Sequence, residues 1–171
     1  MKKLFIIRHA KSSWKDESLK DYDRPLNKRG ESNAPMMAKR FKDKNIFPDA
    51  IISSPANRAK MTAFLLADGL GFTKEIIYKE KLYEADTKEI KEILRTVDNK
   101  EATLFLIGHN PELNMFAQEY LGFDENIVTC GVVEVEFSCD KWSDISKQNA
   151  KFVSYDYPKK LNKKEVEQNN D

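Results

Sequence analysis

The chain has 171 residues, with 40% hydrophobic and 33% charged residues, a size and balance that suit one folded domain needing neither metal nor disulfide to hold its core. Lys+Arg 29 against Asp+Glu 28 leaves a formal net charge of +1, so there is no general electrostatic drive toward nucleic acid or anionic lipid and any positive field must be local. Cys130 and Cys139 have no CxxC spacing and no histidine between them, which points away from a disulfide framework or zinc site and toward two buried thiols in a cytoplasmic protein.

The first apolar run, residues 4–7, stops at Arg8, too short for a secretory core or a membrane span and right for a strand covered on both faces. Asn27 can cap a helix whose apolar face is Ala34, Met37, Ala38 and Phe41, with Pro35 expected to kink or interrupt it. Residues 49–53 read as a second buried strand. Ser54-Pro55 then offers a cap followed by proline, with Gly71 as the stop of the next helix.

Residues 76–78 are a weaker strand. Asp86-x-x-Glu89 resembles a capping box before the stripe Ile90, Ile93, Leu94 and Val97. Residues 103–107 form a third buried strand, and Asn110-Pro111 repeats the cap-plus-proline opening of a helix that ends at Gly122. Val133, Val135 and Phe137 alternate with Glu134 and Glu136, as a half-exposed antiparallel strand does, and residues 152–157 can pair with it. Residues 1–157 are expected to form one domain, and residues 158–171, rich in Lys, Glu, Asn and Asp, a disordered tail. This alternation predicts a three-layer α/β fold, a mostly parallel sheet with helices on both faces and an antiparallel strand at one edge.

Ligands bind such sheets beyond the carboxyl ends of the strands. There the first strand ends in Arg8-His9, the second in Ser53-Ser54 with Arg58 one turn into the helix, and the third in Gly108-His109. These are the chain's only two histidines. Taken singly, a histidine after a strand is an ordinary loop residue and an arginine a solvated charge. Parallel strands would bring Arg8, His9, Arg58 and His109 to one rim, a set suited to phosphate. Trp14 and Tyr83 read as packing residues, and Lys11 and Lys15 as solvated charges or a basic rim.

Phe5-Ile6-Ile7-Arg8-His9-Ala10-Lys11-Ser12-Ser13-Trp14 resembles the Arg-His-Gly signature of the histidine phosphatase superfamily. The blocks from Asp23 to Gly30, from Ser53 to Ala59 and from Gly108 to Pro111 resemble the later blocks of its short SixA-type, phosphohistidine phosphatase branch. The resemblance implies a phosphoglycerate mutase-like fold with His9 as nucleophile and Arg8, Arg58 and His109 holding the phosphoryl group. It also implies Glu84 as the general acid, with Asp86 as its rival. Ala10 stands where the wider family has Gly, which limits the backbone there.

In such a site a neutral His9 attacks phosphorus and water then releases the phosphate. Repulsion from Arg8 and Arg58 would keep His9 neutral, a backbone carbonyl would fix its tautomer, and His109 would serve as an imidazolium donor. No carboxylate cluster has metal-ligand spacing, so no cofactor and no metal are expected. The substrate is expected to be a histidine-phosphorylated signalling protein; a small phosphomonoester on the same site and a non-enzymatic phosphoprotein-binding module are the alternatives. The short interval between Arg58 and His109 leaves little room for a mutase's closing insertion. The oligomeric state is not legible.

Overall fold

A computed structural model describes residues 1–160. Six strands and four α-helices follow in the order β1 (Lys2–Arg8), α1 (Lys28–Asp43), β2 (Ala50–Ser53), α2 (Asn57–Leu70), β3 (Ile77–Tyr78), α3 (Thr87–Arg95), β4 (Thr103–Gly108), α4 (Glu112–Leu121), β5 (Val132–Phe137) and β6 (Ala150–Asp156). They form one sheet in the order β3-β2-β4-β1-β5-β6. The first four strands of that order are parallel neighbours, whereas β5 and β6 add on in antiparallel fashion. The antiparallel edge is therefore two strands wide.

Each face of the sheet carries its own core. Phe5, Ile7, Ile51, Phe105 and Ile107 point to one side and pack with Ala34, Met37 and Phe41 of α1 and Ala63 and Leu66 of α2. Leu4, Ile6, Leu104 and Leu106 point to the other and meet Ile90 and Leu94 of α3 and Leu113 and Phe116 of α4. The period-2 alternation of β1 and β4 thus feeds two helical layers, which is why both strands read as unbroken apolar runs. Among the described residues no helix is long and apolar enough to cross a membrane.

Three local expectations change in the fold. α1 runs unbroken through Pro35; Pro35 and Glu31, whose carbonyl loses its donor, are both exposed, so water can take the bond. α2 starts at Asn57 after Ala56, not at Pro55, because the Ser54 hydroxyl accepts from the Ala56 N–H at 3.2 Å and is engaged by His109. α4 starts at Glu112 with Pro111 in the cap position, while Asn110 Oδ1 accepts from Asn114 N–H at 3.1 Å. Cys130 is buried and Cys139 only half-buried, both as free thiols.

Pro158–Lys160, placed in the expected tail, are held: Arg40 donates to the Pro158 carbonyl at 3.0 Å and Lys160 N–H to Tyr157 O at 2.9 Å. The rest of that tail lies outside the described residues. One glycine is dictated by close approach. A Cβ on Gly30 would stand 2.2 Å from the Lys11 carbonyl oxygen, so only glycine lets α1 abut the segment that follows β1.

Candidate active site

The parallel register sets Arg8 beside Gly108 and Ser53 beside Ile107. His9 and His109 therefore leave the sheet side by side, with ring centroids 5.2 Å apart. Backbone bonds continue the ladder past the strand ends: His9 N–H donates to Gly108 O at 3.1 Å and Ser54 N–H to Ile107 O at 3.0 Å. Arg58 enters from the first turn of α2, and Arg8, the last residue of β1, donates through Nη1 to Ile127 O at 3.1 Å. His9, Arg58 and His109 are buried. The four residues expected at one rim do converge.

Two bonds fix the state of His9. Its Nδ1 lies 2.7 Å from Ala10 O, which can only accept, and its Nε2 lies 3.3 Å from Arg58 Nε, which can only donate. His9 is thus neutral, protonated on Nδ1, with its lone pair on Nε2. Burial pushes its pKa down to about 3; the bond to Ala10 opposes this, and repulsion from His109, Arg58 and Arg8 adds to it. Desolvation, more than the arginines invoked from the sequence, is the leading cause.

His109 does not match the imidazolium expected of it. Burial, with Arg58 and Arg8 nearby and Asp21 opposing, lowers it to about 4, so it is neutral near pH 7. Its Nε2 lies 2.8 Å from Ser54 Oγ. Its Nδ1 and Arg8 Nε are buried without a hydrogen-bond partner among the described residues, two polar atoms that an oxyanion would satisfy.

The fold adds residues the sequence did not single out. Asp21, on a short 3₁₀ turn, takes Arg58 Nη1 on its carbonyl at 2.7 Å and Arg58 Nη2 on Oδ2 at 3.0 Å. Its Oδ2 also accepts from Tyr83 OH at 2.7 Å and its Oδ1 from Arg24 Nε at 3.2 Å. Thr62 accepts from Ala10 N–H at 2.9 Å and donates to Arg58 O at 2.7 Å, tying the segment after β1 to α2. Asp21 lies 37 and 62 positions from Arg58 and Tyr83, and Ala10 lies 52 positions from Thr62, so no local motif marks these partners.

Of the two aromatics expected to pack, Tyr83 does so and Trp14 does not. Tyr83 is half-buried at the site, edge-on to His109 with centroids 5.5 Å apart. Trp14 is 68% exposed, lying 3.4 Å over the Arg24 guanidinium, because that buried cation is covered by an aromatic face rather than by water. Ala10 is buried and is not among the residues with positive φ, so its side chain costs nothing here. Lys11 and Lys15 are exposed.

Glu84 is exposed with φ +63° and makes no hydrogen bond to the four converging residues among the described contacts. Asp86 is spent on a capping box, its Oδ1 accepting from Glu89 N–H at 2.7 Å. Among the described residues no group of three His, Cys, Asp or Glu side chains forms a metal-ligand set.

The model of the histidine phosphatase superfamily (branch 1) matches residues 4–105, more than half of the chain and including Arg8, His9 and Arg58. This chain belongs to that superfamily. The solved structure of the protein histidine phosphatase SixA complexed with tungstate is similar, with a TM-score of 0.79 at 21% identity over 91% of this chain and 97% of that one. Phosphoserine phosphatase from Entamoeba histolytica, solved with 3-phosphoglyceric acid, has a TM-score of 0.67 at 16% identity, covering 93% and 98% of the two chains. An uncharacterised chloroplastic protein of Arabidopsis thaliana is 28% identical over 152 residues, 84% of this chain and 70% of its own. Superfamily membership and the shared SixA-type, phosphoglycerate mutase-like fold support a phosphatase.

Proposed function

We propose that the chain is a phosphohistidine phosphatase that transfers the phosphoryl group to His9 Nε2 and then to water. The observation that carries this reading is the state of His9: Ala10 O takes the proton on Nδ1 and Arg58 Nε–H donates to Nε2, which leaves the lone pair on Nε2. In-line attack forms the Nε2–P bond as the bond from phosphorus to the leaving imidazole breaks. The Arg58 Nε–H then turns from Nε2 to a phosphoryl oxygen. Arg8 Nε and His109 Nδ1, the two buried nitrogen atoms without partners among the described residues, hold the other oxygens. The Ala10 carbonyl steadies the charge that spreads onto Nδ1–H once Nε2 is phosphorylated. Charge on the transferred group is met by guanidinium forks and imidazole N–H. The tungstate bound to SixA is a tetrahedral oxyanion of the same shape.

Phosphohistidine fits a site whose proposed acid, Glu84, is exposed and makes no hydrogen bond to the four converging residues among the described contacts, because a protonated phosphoimidazole leaves as neutral imidazole with little further help. The partner in this reading is a histidine-phosphorylated protein. A small phosphomonoester on the same site is the second reading, favoured by the positive φ of Glu84, a strained backbone of the kind that clusters at functional sites. The test is transfer of labelled phosphate from a phosphohistidine protein to the enzyme. Acid-labile, base-stable label on His9 and its loss in His9→Ala are expected. Label on His109 would reverse the two histidines, and turnover confined to sugar or amino-acid phosphates would select the second reading.

A further inference from the structure

We infer that Asp21 is a positioning residue for the phosphate clamp: its carbonyl and carboxylate together hold Arg58 in the posture that turns Nε toward His9. The inference rests on the proposed role of Arg58. A guanidinium has five N–H groups. Asp21 takes one from Nη1 at 2.7 Å and one from Nη2 at 3.0 Å, and His9 Nε2 takes the Nε–H at 3.3 Å. One hydrogen on each Nη is left over for phosphoryl oxygens. An arginine side chain is long and loses much rotamer freedom when it is fixed. Asp21 prepays that ordering before substrate arrives, and a misplacement near 1 Å is costly in such a site.

Asp21 is itself braced from two sides. Tyr83 OH donates to the Oδ2 that also holds Arg58, at 2.7 Å. Arg24 Nε donates to Oδ1 at 3.2 Å, and Arg24 is fixed in turn by Ser12 Oγ at 2.9 Å, Ser13 O at 3.2 Å and the Trp14 ring. Desolvation raises the Asp21 pKa, but the bonds from Tyr83, Arg58 and Arg24 more than offset it and hold the carboxyl down to about 2. Asp21 therefore stays an anion at any working pH. It pairs with Arg58 and Arg24 and acts on His109 in the opposite sense to Arg58 and Arg8. One fixed carboxylate thus both aims the clamp and eases protonation of His109.

The test compares wild type with Asp21→Asn and Tyr83→Phe in three measurements: kcat and KM on a phosphohistidine protein, orthovanadate affinity, and the titrations of His9 and His109 followed by NMR. Asp21→Asn should lower kcat about tenfold to a hundredfold, weaken vanadate binding by a similar factor because vanadate mimics the transferring group, shift KM little, and make His109 titrate lower. Tyr83→Phe, which keeps the carboxylate, should lose less than Asp21→Asn in kcat and leave His109 unmoved. A merely structural role would lower the unfolding midpoint while leaving kcat of the folded protein and both titrations at wild-type values, and that result overturns the inference. Should wild type itself fail on phosphohistidine, the proposed function falls. The vanadate and NMR measurements then still decide Asp21: an unshifted His109 together with a wild-type vanadate affinity of the folded Asp21→Asn protein overturns its role.

Discussion

Lowering the pH from 7 to 5 should cost the protein about 4 kcal/mol of folding stability, a large share of what a domain has. An unfolded histidine titrates near 6.5, whereas in the fold His9 titrates at about 3 and His109 at about 4. Across that window the unfolded chain takes up about one and a half protons and the folded chain almost none. Stability therefore falls as the pH falls, and integration gives about 2 kcal/mol for each histidine. The result depends little on the folded values so long as both stay well below 5. No other histidine contributes, and Asp21, held at about 2, adds its own loss only below roughly pH 4. Urea unfolding followed by circular dichroism at pH 7, 6 and 5 measures the effect, an expected midpoint drop of about 2 M for an m-value near 2 kcal/mol/M. The double variant His9→Asn/His109→Asn should lose less than about 1 kcal/mol over the same range. A wild-type loss that small, or an equal large loss in the double variant, would refute the claim that both imidazoles are buried neutral.

Arg58→Lys and Arg8→Ala should each lower kcat/KM at least about a hundredfold, since a lysine cannot restore the fork that spans His9 and Asp21; steady-state kinetics decides. Gly30→Ala drives a Cβ to within 2.2 Å of the Lys11 carbonyl and should cost about 1–3 kcal/mol or more in urea unfolding. Asp86→Ala should remove about 1 kcal/mol of capping while kcat on a sugar phosphate stays at the wild-type value, which separates the cap from any acid role. Glu84→Gln should be nearly silent on phosphohistidine yet cost a sugar phosphate about 10²–10⁴ in rate; equal large losses on both substrates would mean that Glu84 does something other than protonate a leaving group.

What could be read from the sequence was whatever is local to a strand end. An unbroken apolar run such as residues 4–7 announces a parallel strand, and the residue after it must sit on the carboxyl rim. His9 and His109 follow from that rule alone once β1 and β4 are neighbours. Arg58 follows from the turn after β2. Asp21 could not be read this way. In Lys20-Asp21-Tyr22-Asp23 nothing separates it from any acid in a turn, and its partners Arg58 and Tyr83 lie 37 and 62 positions away. The cap at Ser54 was misread for the same reason: a distant imidazole claims its hydroxyl.

The neutral state of His9 was legible, but the loss of charge on His109 was not, because it depends on burial, which composition does not reveal. Once burial is known, the division of labour in the site follows. Guanidiniums keep their charge at any working pH, so Arg8 and Arg58 present a positive site that pH cannot switch off. Imidazoles surrender theirs when desolvated, so His9 keeps a free lone pair well into the acid range. A lysine clamp would share the histidines' sensitivity to desolvation, and an exposed nucleophile would spend a large part of its time protonated near pH 6.5. The cost of the arrangement is the acid lability worked out above, because the protein must bury two titratable rings beside fixed cations to obtain it.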